Sequence, residues 1–194
     1  MDTGIQQLQT KVNAYKEVLQ LTHDYRQAWQ TSTKTLISTT LKAVVQQTGL
    51  KATVVEKNNI ENLEAIVLDL GRSSSGIAEN LDNTDVKRIM IKDNGSLIFQ
   101  QLFNGKIMVM MVSPNIEGYG EPKAPVSLEI VRPGEVTDAT IYGYVERMLD
   151  DIIDWEDYDD DDKNARMAFQ PIGFKHTVPL GEGNGHDAAD PSQQ

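Results

Sequence analysis

The chain predicts an α+β fold: an antiparallel five- to six-stranded sheet (a meander), packed by a long N-terminal helix or helix pair and by a C-terminal amphipathic helix. Three observations carry that expectation. Apolar residues step by three and four from Ile5 to Leu19 and again from Ile141 to Trp155, the spacing of one helix face. Between these segments lie short runs rich in β-branched residues, Thr53-Val54-Val55, Ala65 to Leu70, Arg88 to Lys92, Leu97 to Leu102 and Ile107 to Val112. Two Asn-Gly pairs, Asn94-Gly95 and Asn104-Gly105, join the last three runs, and Asn-Gly suits the positive φ values of a type I′ hairpin turn.

The elements follow in order. The first seam is Ile5, Leu8, Val12, Tyr15 and Leu19, continued less strictly by Val18, Leu21, Tyr25 and Trp29. The run Thr31-Ser32-Thr33-Lys34-Thr35 weakens a helix and offers a new N-cap. The segment 4–48 therefore reads as two helices with a bend near Thr31 to Thr33, or as one long helix, stopped at Gly49. Two heptads of clean seam fall short of a coiled coil by themselves; of the two fates open to this helix, packing on the chain's own sheet is favoured over a dimer seam. The sheet occupies 52–131, interrupted by one short helix around Gly76 to Leu81. Ile107 to Val112 is apolar at every position, so both of its faces are expected to be covered, one by the N-terminal helix and the other by the C-terminal helix or a second subunit. An irregular Gly- and Pro-containing loop, Pro114 to Pro125, leads to a strand at Ser127 to Val131. Thr137 caps the last helix, over 137–157. Residues 1–158 thus form one α+β domain, and 159–194 an acidic run with a mostly disordered tail.

Composition narrows the functional classes. The net charge of −11 is mostly local, because nine of the 29 acidic residues lie between Asp150 and Asp162. Without them, 20 acids face 18 bases. Such a chain lacks the basic footprint that nucleic acid requires. It contains no cysteine, which excludes disulfides, thiolate catalysis and Cys-ligated metals. No apolar stretch approaches the ~20 residues of a membrane span, and no secretory h-region opens the sequence. A cytoplasmic protein without membrane contact is the expectation.

Two segments are candidates for binding. The acidic helix end (Asp154, Trp155, Asp157, Tyr158, Asp159, Asp160, Asp161 and Asp162) combines charge with two aromatic anchors and suits a partner with a basic surface; a solvated helix boundary is the plainer reading. Asp157, Asp159 and Asp161 imitate the start of an EF-hand, but Asp162 stands where its glycine belongs and Ala168 where its bidentate Glu belongs, so no metal is expected. The loop 115–123 sets Glu117, Tyr119, Glu121 and Lys123 among glycines, and loops held by a rigid scaffold often carry binding residues. Gly71 to Gly76 has P-loop glycine spacing, yet Ile77 and Ala78 replace the Lys and hydroxyl that phosphate and magnesium need. The three histidines (His23, His176 and His186) form no triad or metal spacing, so no catalytic residue and no cofactor is expected.

The order of elements resembles, at the level of fold alone, the roadblock and profilin-like class of small α/β sandwiches, which implies an adaptor or dimerisation platform. The expected function is a non-catalytic protein–protein interaction or adaptor module, as a homodimer or with another protein. The alternative is a small-molecule sensor or an unrecognised enzyme that uses the 115–123 loop.

Overall fold

A computed structural model describes residues 3–81 and 85–157; Tyr158 and Asp159 to Asp162 therefore lie outside the described residues. The N-terminal segment is one continuous helix in three parts. α1 spans Thr3–Ala28, a single π turn spans Trp29–Thr33, and α2 spans Lys34–Thr48. The hydroxyl-rich run does not break the helix. It widens it by one turn, in which Thr31, Ser32 and Thr33 bond back to the carbonyls of Gln27 and Ala28. Such back-bonding to the preceding turn loosens or bends a helix without ending it. Gly49 ends α2 at φ 72°, donating its N–H to the Val45 carbonyl.

Eight strands follow: β1 Thr53–Lys57, β2 Ala65–Asp69, β3 Arg72–Asn80, β4 Lys87–Asp93, β5 Ser96–Gln101, β6 Ile107–Val112, β7 Asn115–Ile116 and β8 Val126–Val131. The main sheet is antiparallel, in the order β1-β2-β5-β6-β8. A smaller sheet has the order β3-β4-β7. These three strands continue β2, β5 and β6 past a common corner. At that corner Asn94 N–H reaches the Gly71 carbonyl, Leu70 N–H the Gly95 carbonyl, and Asn94 Nδ2 the Leu70 carbonyl. Gly71 (φ 68°) and Gly95 (φ 93°) take the left-handed conformation there. A Cβ on Gly95 would meet the Val112 carbonyl at 2.7 Å, so glycine is obligatory where the strands bend past one another.

Three expectations are corrected here. Asn94-Gly95 is a bend between sheets, and β4 pairs with β3 instead of β5. The short helix expected around Gly76 to Leu81 is strand β3. Asn104-Gly105 does join β5 to β6, but Asn104 keeps negative φ while Gly105 (φ 78°) alone is left-handed. Gly105 N–H bonds the Leu102 carbonyl and Leu102 N–H bonds the Lys106 carbonyl, a three-residue loop in place of a type I′ turn.

α3 spans Asp138–Glu156, with Thr137 accepting from the Thr140 N–H as its cap. α2 and α3 lie on the same face of the main sheet. Ile37 and Leu41 of α2, and Ile141, Val145 and Met148 of α3, form one core with Ile66, Leu68, Leu97, Phe99, Ile107, Val109 and Met111. β6 is accordingly covered on one side only: Ile107, Val109 and Met111 are buried, whereas Met108, Met110 and Val112 are half-exposed. The other face carries a cross-strand row of Val55, Val67, Ile98 and Met110, with Val55 40% exposed.

α1 departs furthest from expectation, because its seam does not pack on the sheet. Every residue from Thr3 to Leu21 is exposed. Only its last turn meets the body: the Arg26 guanidinium donates to the Phe103 carbonyl (Nε 3.1 Å), and Gly105 fits against Tyr25 so closely that a Cβ would lie 2.7 Å from the Tyr25 Cβ.

Candidate functional site

The structure brings the two sequence-predicted segments together at Lys92. β7 pairs with β4, setting Ile116 opposite Lys92 and Asn115 opposite Asp93. Glu117 N–H bonds the Ile91 carbonyl, and Tyr119 N–H bonds the Ile116 carbonyl at 3.0 Å across Gly118, whose φ of 77° closes the turn. The Glu117 carboxylate stands 3.8 Å from Arg88, with both side chains more than half exposed. Tyr119 is half-buried, and Glu121 and Lys123 are exposed.

The Lys92 ammonium, from the other side, bonds Glu156 and lies 5.7 Å from the centroid of the Trp155 ring. Ser113 Oγ donates to Asp151 at 2.9 Å. The end of α3 is thus clamped to the sheet corner by two contacts to carboxylates and a cation–π contact, the last worth about 1 kcal/mol at a half-buried site. Trp155 and Glu156 serve this internal clamp, while Asp154 and Asp157 face solvent.

Sequence reasoning missed two polar clusters. Glu64 precedes β2 at core-facing parity and is 8% exposed. Its carboxylate accepts from Trp29 Nε1 (3.0 Å), Gln30 (3.2 Å) and Lys34 (2.8 Å). Burial alone raises its pKa; the hydrogen bonds from Lys34, Trp29 and Gln30 and the Lys34 charge outweigh that and hold it below the ordinary carboxylate value. The π turn delivers Trp29 to this carboxylate. Beside it, Gln101 donates its backbone N–H to the Glu64 carbonyl. The Gln101 side chain is fully buried and neither end of its amide has a protein partner. An acid at the inward parity of an apolar strand is the signal that could have located Glu64.

The second cluster lines a cavity of about 350 Å³ with Lys106, Glu129, Arg132, Glu135 and Tyr144. Tyr144 donates to Glu129 at 2.7 Å; burial, followed by that carboxylate, pushes the phenol well above its usual range. Glu135 accepts from the Arg132 N–H, which holds it below the usual carboxylate value. Among the described residues, no group of three or more His, Cys, Asp or Glu could hold a metal. A larger, apolar groove of about 670 Å³ lies between α2 and α3, lined among others by Val44, Leu50, Tyr142, Val145, Leu149 and Ile153. None of the loop residues Glu117, Tyr119, Glu121 and Lys123 lines either cavity.

Among the described residues, nothing covers the first five turns of α1. Ile5, Leu8, Val12, Tyr15, Val18, Leu19 and Leu21 are each 38–63% exposed along one helix. Together they expose several hundred Å² of apolar surface, the scale at which a patch marks an interaction site. No family model, no curated protein and no solved structure matches this chain.

Proposed function

We propose that this chain is a non-catalytic protein–protein interaction or adaptor module, and that α1 is its docking element. One observation carries the reading. A helix of 26 residues has no residue buried by the described part of the chain, yet it keeps an apolar seam of the kind a partner polypeptide desolvates. The folded body beneath it supplies a rigid mount, clamped at Arg26 and Gly105. Two further features agree with the reading. The back of the main sheet offers half-exposed Met108 and Met110, side chains that adapt to varied partners. Asp154 and Asp157 add exposed negative charge that suits a basic surface.

The test is native mass spectrometry of protein purified gently from its own cells, alongside a Leu8→Lys/Leu19→Lys variant. A complex with a second polypeptide that the variant loses supports the reading. A monomer that carries a few hundred additional daltons, released by Tyr119→Ala, would overturn it in favour of a small-molecule sensor built on the 115–123 loop.

A further inference from the structure

Resting on the interaction-module reading, we infer that the occupant of the α1 seam is α1 of a second copy of this chain, running antiparallel. The seam repeats at steps of three and four over Ile5, Leu8, Val12, Tyr15 and Leu19, the a and d positions of successive heptads, which face a single neighbouring helix. Among the described residues nothing covers Thr3 to Leu21, so a second helix has access along the seam. Ile5, Leu8, Val12, Tyr15 and Leu19 are 38–63% exposed on each copy; with Val18 on the flank they offer an apolar surface on the order of several hundred Å² per side, at the small end for a specific interface.

Charge decides the direction. In a parallel pair the flanking g and e positions meet, which sets Lys11 of each helix beside Lys16 of the other, a like-charge contact made twice. In an antiparallel pair centred between Val12 and Tyr15, Leu8 faces Leu19 and Val12 faces Tyr15. Lys11 then lies beside Val18, and Lys16 beside Gln9. The like charges separate, and the helix dipoles oppose favourably. Ile5 of each copy arrives at Thr22 of the other, where α1 meets the turn that carries Phe103, 72% exposed. With little more than two heptads, association should be concentration-dependent.

The absence of cysteine permits a direct test with the full chain. Leu8→Cys and Leu19→Cys are made singly and oxidised, alone and mixed, because a disulfide forms only between Cα atoms within about 7 Å. The expected result is a covalent dimer from the mixture, joining Leu8→Cys to Leu19→Cys, with little from either variant alone. Self-linking of each variant alone would mean a parallel pair and overturn the antiparallel assignment. A sedimentation mass that stays monomeric across about a hundredfold rise in concentration would overturn the second copy as occupant. If a different polypeptide is then held by the same seam, the interaction-module reading survives; if none is, both fall.

Discussion

α1 and α2 are two stretches of one continuous helix with opposite surfaces. Along α1 the apolar seam faces solvent. Along α2 the buried positions include Ser38 and Thr40 beside Ile37 and Leu41, and the π turn before it buries Thr33. The hydroxyls under α2 are all engaged: Ser38 donates to Glu56 at 2.8 Å, Thr40 bonds Asp138, and Thr33 bonds back to Ala28. Periodicity thus establishes that a helix has an apolar side. It does not establish that the side is covered. Cover depends on where the sheet lies, and strands of five and six residues span only ~20 Å, far less than the length of this helix at 1.5 Å per residue.

The contrast breaks most readily in the core. Leu41→Ala should cost about 2–5 kcal/mol in urea unfolding, whereas Leu8→Ala in dilute solution should stay within about 0.5 kcal/mol. Equal losses would mean that α1 packs on its own body after all. A loss for Leu8→Ala that grows with protein concentration would instead sharpen the contrast, by tying the seam to association.

Glu64→Ala should cost about 2–4 kcal/mol, because it leaves the Trp29 indole and the Lys34 ammonium without their buried acceptor. The pH dependence has a defined sign. The folded pKa of Glu64 lies below its unfolded value, so its contribution is complete above the ordinary carboxylate range and is lost as pH falls through the lowered folded pKa. Unfolding curves measured through that acid window should show a slope in the native chain that Glu64→Gln removes.

Gly105→Ala tests the mount of α1. It combines a left-handed φ of 78° with a 2.7 Å approach to Tyr25, and a cost of about 2 kcal/mol is expected. Protease nicking within Thr22 to Arg26 should rise with it; unchanged stability and nicking would remove this contact as the anchor. The smallest effect is expected at Gln101→Met, which replaces a buried amide lacking protein partners by an apolar side chain of similar size. A gain of about 1 kcal/mol is the expected sign, read as a higher urea midpoint. A loss would mean that the amide is satisfied in solution, for example through a buried water.

Much of the candidate surface was legible in the residues, and some of it was assigned the wrong place. The seam from Ile5 to Leu19 was readable as a seam, but its exposure was not. Trp155 was readable as an aromatic at the end of a helix, but not as the partner of Lys92, which lies 63 residues away in the sequence. The loop residues Glu117 and Tyr119 are candidates on composition alone. The hydrogen bond that ties Glu117 to Ile91 of β4 depends on the corner that sets β4 outside the main sheet, which no local residue pattern announces.

The sequence by itself determined the local events: the helix stop at Gly49, the cap at Thr137, the strand runs other than β3 and β7, and the α+β class. Each depends on conformational preferences or hydrogen bonds that act over a few residues. Only the tertiary structure decided that Asn94-Gly95 bends the chain instead of reversing it. A glycine permits positive φ in either case, and the choice is made by Leu70 and Gly71, more than twenty residues upstream, which bond across the corner. It likewise decided which apolar stripes are core and which are surface, because burial depends on what stands opposite a residue in space.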